Sequence, residues 1–127
     1  MALSRRRLLG LAAVAGAGCI ENPGRDCPGA TYRLRLSPTG GVEDPLGLEP
    51  ASLSTAGNAV VEGAIEDEHV ESCVSWEGSP GPSAGLREVG EHIERHASVS
   101  LSDRTGDVRL DAVRAESSYR LRLAIEA

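Results

Sequence analysis

The chain has 127 residues, with 13 basic and 19 acidic side chains and a net charge of −6, and every basic residue is arginine. That length supports one domain and excludes two lobes closing around a solute. The acidic balance repels phosphate backbones and anionic head groups, so neither nucleic-acid binding nor electrostatic adsorption to a membrane is expected.

Arg5, Arg6 and Arg7 form a positive start, and Leu8 to Ala17 an apolar stretch of signal-peptide length, too short for a spanning helix. Residues 1–18 therefore read as an export signal. Ser4, Arg5, Arg6, Arg7, Leu8 and Leu9 resemble the twin-arginine signal, in which a polar residue and two arginines precede an arbitrary residue and two apolar ones. The resemblance implies translocation of an already folded protein. Ala17, Gly18 and Cys19 resemble the end of a lipobox, which implies that Cys19 is lipidated on its thiol and becomes the first mature residue. Gly16 departs from that pattern, where an apolar residue is usual, and ordinary signal-peptidase cleavage with secretion is the alternative. Two acyl chains on Cys19 would anchor the domain stably, whereas one gives only marginal, reversible binding. Cleavage before Cys19 would leave ten arginines against all 19 acids, a net of −9.

Cysteine parity points to the same compartment. Lipidation of Cys19 leaves Cys27 and Cys73, an even pair in an oxidising environment, and a disulfide between them is expected. It would close a loop of about 46 residues and stabilise by roughly 4 kcal/mol on the chain-entropy model.

Residues 19–30 read as anchor and tether, with Pro23, Gly24, Pro28 and Gly29 breaking regular structure. Thr31 to Leu36 alternates Tyr32, Leu34 and Leu36 against Arg33 and Arg35, the period of a half-buried strand. Ser37 to Pro50 reads as a loop. From Ala51 to about Glu66, Leu53, Ala56, Val60, Val61, Ala64 and Ile65 form one stripe of an amphipathic helix, with Gly57 and Gly63 against it. His69 to Trp76 alternates again, placing Val70, Ser72, Val74 and Trp76 on one face and Glu71, Cys73 and Ser75 on the other. After a Pro-Gly-Ser loop, Ser83 is an N-cap for a helix from Ala84 to about His96, with Leu86, Val89 and Ile93 on its apolar edge. Ser98 to Leu101 and Val108 to Val113 suggest a hairpin, and Ser118 to Ile125 a last strand. The expectation is a small α+β domain over residues 31–127: a mostly antiparallel sheet of about five strands on two helices, closed by one disulfide.

The pentapeptide Tyr-Arg-Leu-Arg-Leu occurs at Tyr32–Leu36 and again at Tyr119–Leu123. If the two strands are neighbours, Arg33, Arg35, Arg120 and Arg122 form a basic patch on an acidic domain, a candidate for an anionic ligand or partner; a charge-paired sheet face is the alternative.

Other constellations carry less. Glu88, His92 and His96 recur every four residues along one side of the second helix, so His92 and His96 are candidates to share a metal, although H-E-x-x-H is absent. Asp103, Thr105, Asp107 and Asp111 fail a calcium loop, because Gly106 falls at its fourth position and Arg114 at its twelfth. No nucleophile elbow and no phosphate loop is present. Tyr32, Trp76 and Tyr119 all occupy inward strand positions, leaving no aromatic platform for a sugar. No cofactor is implied.

The signal, Cys19 and a composition rich in Ala, Gly, Asp and Glu, without Lys or Phe, together resemble the small twin-arginine-exported lipoproteins of halophilic archaea. A GC-rich genome is the alternative source of that composition. The resemblance implies a place on the outer face of the cytoplasmic membrane, held by the lipid, and implies no activity. The reading is a non-enzymatic, surface-tethered binding or accessory module with an envelope protein partner or a small ligand. Its alternatives are a metal-dependent envelope enzyme using His92 and His96 and a purely structural surface protein.

Overall fold

The computed structural model describes residues 29–102 and 104–127. The signal with Arg5 and Arg6, the lipidation residue Cys19, the tether as far as residue 28 with Cys27, and Asp103 lie outside the described residues.

Strand β1 (Ala30–Pro38) is followed by the two-residue strand β2 (Leu46–Gly47), a 3-10 turn at Pro50–Ser52 and helix α1 (Thr55–Glu66). Strand β3 (His69–Val74), helix α2 (Ala84–Ala97) and strands β4 (Gly106–Arg114) and β5 (Ser117–Glu126) complete the chain. The five strands form one sheet in the order β2-β4-β5-β1-β3. All neighbours are antiparallel except β2 and β4. This is the expected α+β arrangement of a mostly antiparallel sheet and two helices.

Two-residue alternation decides which side of the sheet is core. Tyr32, Leu34 and Leu36 of β1, Val108 and Ala112 of β4, and Leu121, Leu123 and Ile125 of β5 are buried in one cluster with Val60, Val61 and Ala64 of α1 and Leu86, Val89 and Ile93 of α2. Each large aliphatic chain so buried contributes roughly 1.5–3 kcal/mol. The helices pack closely because Gly85 opens α2: a Cβ there would lie 2.4 Å from the Ala56 carbonyl oxygen of α1. Gly90 similarly makes room for the Trp76 ring, which stacks 5.5 Å from Tyr32.

Serines start both helices, and a glutamate from another element holds each. The Ser54 hydroxyl accepts the Gly57 N–H at the head of α1, while its own N–H and O–H donate to Glu88 of α2. The Ser83 hydroxyl accepts the Leu86 N–H of α2, while its N–H and O–H donate to Glu71 of β3. An N-cap of this kind contributes about 1 kcal/mol. Here it also ties a helix start to its neighbour.

Several expectations are corrected. The helix expected from Ala51 begins at Thr55, because Pro50 and the Ser54 cap confine the preceding residues to a 3-10 turn. The expected loop at Ser37 to Pro50 contains β2, with Leu46 opposite Ala112 and buried. Ser98 to Leu101 is not a strand: Ser98 ends α2 in the left-handed conformation at φ 58°, and Glu94 accepts the N–H groups of Val99 and Leu101. The hairpin instead joins β4 to β5 through Ala115 and Glu116, both at positive φ, the two-residue loop that matches strand twist.

The strand from His69 is out of phase with its expected alternation. Ala30 faces Val74 but Tyr32 faces Glu71, so Ser72 and Cys73 together oppose Thr31 in a bulge, with Cys73 at φ 60°. An extra residue exchanges the faces. Val70 is therefore exposed beside Arg33, and Glu71 stands with Tyr32 on the helix side, whereas Val74 and Trp76 beyond the bulge are buried as expected. The bridge expected at Cys73 involves Cys27, which lies outside the described residues.

Candidate functional site

The helices leave the other side of the sheet open, and the strand repeats place guanidinium groups there. β1 and β5 are adjacent, with Arg35 opposite Arg122, Ser37 opposite Arg120 and Arg33 opposite Ala124. The four arginines singled out from the sequence thus share one face. A fifth joins them, for Arg109 of β4 stands opposite Arg122 on its far side. Arg35, Arg122 and Arg109 make a row across three strands. Arg109 was legible in principle, since Val108, Leu110 and Ala112 alternate with Asp107, Arg109 and Asp111 as in the two repeats.

Like charges directly opposite one another destabilise a sheet, so the acids around the row matter. Asp107 accepts from Arg122 Nε at 2.9 Å and from Arg109 Nη2 at 3.1 Å through the same oxygen. Asp111 accepts from Arg120 Nε at 2.8 Å and from the Glu43 N–H at 2.9 Å. Arg33 donates through Nε to Glu126 and through Nη1 to Glu68. The bond from Arg122 holds the Asp107 carboxyl below its usual range, and the Glu43 N–H followed by Arg120 does the same for Asp111. Glu126 raises the Arg33 guanidinium further.

Two features distinguish this face from a fully neutralised one. The Arg35 side chain is exposed and makes no hydrogen bond or ion pair among the described residues. Arg120 and Arg122 are both gripped at Nε, and their half-exposed side chains leave the terminal nitrogens with no protein acceptor among the described residues. The acids thereby fix the orientation of the guanidinium forks without occupying them.

The histidine pair does not come together as a metal site. His96 Nε2 donates to the Asp44 carbonyl oxygen at 2.7 Å, His92 Nδ1 accepts from Arg95 at 3.3 Å, and Glu88 is bound to Ser54. No group of three metal-ligating side chains converges among the described residues. A different set has the composition of a hydrolase triad: Ser83, Glu71 and His69. Its order is wrong for that chemistry, because the carboxylate lies between serine and histidine, with Ser83 Oγ and His69 Nε2 both on Glu71 Oε2. A nucleophile needs the imidazole at its hydroxyl. Burial alone would push the Glu71 carboxyl up, but the Ser83 and His69 bonds outweigh it and hold the group low, as suits a cap anchor.

Concavities open on the surface of the described residues. One, of about 500 Å³, lies beside Tyr32, Trp76, Ser102 and Arg104, and the Arg104 Nε is buried there with no acceptor among the described residues. Another, of about 410 Å³, runs from Asp44 and His96 to Arg109, Asp111 and Arg120 at the edge of the arginine face. No helix of the described residues is long and apolar enough to cross a membrane. Comparison with known proteins found no match among family models, curated proteins or solved structures.

Proposed function

We propose that the protein is an exported, lipid-anchored surface module without catalytic activity, which binds an anionic partner or ligand through the outer face of its sheet. The export signal at residues 1–18, the lipid on Cys19 and a place on the outer face of the cytoplasmic membrane are supported by Arg5, Arg6, the short apolar stretch and the small residues before Cys19. A Cys27–Cys73 bridge fits cysteine parity.

The observation that carries the binding reading is the row Arg35–Arg122–Arg109, in which Asp107 binds Arg122 and Arg109 and leaves Arg35 without a carboxylate among the described residues, on an otherwise acidic molecule. Such a face attracts an acidic partner locally, while the remaining surface repels it in other orientations. Partner choice would therefore depend on this face.

Cross-linking in intact cells, compared between the native protein and an Arg35→Glu, Arg122→Glu variant, tests the reading. Loss of the adducts in the variant is the expected result, and identical adducts would reject the face. Intact mass tests the address: cleavage before Cys19, added acyl mass and two oxidised thiols are expected. A full-length, fully reduced chain would overturn it.

A further inference from the structure

We infer that Arg35 and Arg122, flanked by Arg109 and Arg120, form a seat for a tetrahedral oxyanion of the phosphate or sulfate class. This rests on the reading of the outer face as a binding surface and names the chemistry that surface takes.

The register puts Arg35 and Arg122 directly opposite each other on adjacent strands, about 4.8 Å apart along the hydrogen-bonding direction. Two cationic side chains at directly opposed positions destabilise the pair unless a counter-charge lies near them. Among the described residues the fold supplies one only on the far side, where Asp107 bridges Arg122 and Arg109. On the near side Arg35 has no carboxylate among the described residues. The gap between Arg35 and Arg122 is therefore the place where an external anion gains most.

The neighbours hold the site in readiness. Asp107 grips Arg122 at Nε, and Asp111, itself fixed by the Glu43 N–H, grips Arg120 at Nε. Both grips leave the terminal nitrogens without an acceptor among the described residues, and these are the ends that pair with phosphoryl or sulfuryl oxygens in a planar fork. A tetrahedral dianion presents several acceptor oxygens and can engage Arg35 and Arg122 together, with Ser37 opposite Arg120 on the same face. A monovalent halide has neither the charge nor the separated acceptors to do so. The face is open, so the same chemistry reaches it as a free ion or as an ester group carried on a larger molecule.

The test is arginine side-chain NMR on the mature full chain, titrated with sodium phosphate, sodium sulfate and glycerol 3-phosphate against sodium chloride at matched ionic strength. Saturable shifts of the Arg35 and Arg122 Nε–H signals with the oxyanions but not with chloride are expected, and Arg35→Gln should weaken binding by about tenfold. Arg95→Gln, on α2 and away from the outer face of the sheet, should leave it unchanged. Tighter binding of the ester than of inorganic phosphate assigns the site to a group on a larger molecule; the reverse assigns it to the free ion. Equal, non-saturating responses to all four salts overturn the proposal, as does equal weakening in both variants. Failure here with cross-linking still lost in the Arg35→Glu, Arg122→Glu variant removes the oxyanion seat and leaves the binding face standing.

Discussion

The two faces of one sheet are built from alternate residues of the same strands, yet they follow different physics. On the helix side Leu34, Leu36, Leu121 and Leu123 are buried, and their contribution scales with area. On the outer side Arg35, Arg109, Arg120 and Arg122 meet water, and exposed ion pairs there contribute little. The inner face is thus constrained by folding. The outer face is free of that constraint, and that difference locates the candidate site.

The contrast is sharpest between adjacent residues. Leu123→Ala removes a fully buried chain facing both Leu34 and Val108, and should destabilise by about 2–5 kcal/mol in urea unfolding. Arg122→Gln, one position away, should leave the unfolding midpoint unchanged within error while altering anion binding. A large loss of stability in Arg122→Gln would mean that the arginine row serves the fold.

Glycines offer a second comparison. Gly85→Ala would push a Cβ against backbone of α1 and should cost about 1–3 kcal/mol, the usual penalty of overpacking. Gly63→Ala meets nothing within 4 Å in the middle of α1, and should stabilise by about 0.5–1 kcal/mol through lower backbone entropy in the unfolded chain. Thermal unfolding of the two variants should therefore move in opposite directions.

Local pattern made the core and the arginine face legible. Tyr32–Leu36 and Tyr119–Leu123 declared their inner and outer sides by alternation alone, and Ser83 declared the start of α2. Three features escaped because their causes are not local. The bulge at Ser72 and Cys73 reverses the face of Val70 and Glu71, and nothing in the alternation of that strand announces an extra residue. The β4–β5 turn uses Ala115 and Glu116 where Asn-Gly is the usual signal, and Glu49 supports it from a distance by accepting the Ala115 N–H. Arg114, beside that turn, is buried and donates to the Leu48 carbonyl, Asn58 and Glu62, partners distant in sequence. An Ala115→Asn, Glu116→Gly hairpin should relieve the positive-φ cost and stabilise by roughly 1–2 kcal/mol, measured by the same unfolding.

Glu71 breaks the simple division, being a carboxylate on the helix side of the sheet, and it supplies the smallest and most specific prediction. Its protonation equilibrium is held below the ordinary carboxylate range because the ionised form accepts from Ser83 and His69 more favourably than burial opposes it. The unfolded chain then binds a proton at a higher pH than the folded one, so stability must rise with pH across that interval. The contribution is complete above the unfolded carboxylate value of about 4.3, and is lost as pH falls through the folded value. Glu71→Gln should cost about 1 kcal/mol at neutral pH, the size of a weakened N-cap, and should flatten the acid limb of the stability profile. His69, its partner on the same strand, is not required for the cap, so His69→Gln should keep most of that limb. A Glu71→Gln variant with an unchanged acid limb would show that Ser83 caps α2 unaided, and that the inner face of β3 is held by packing alone.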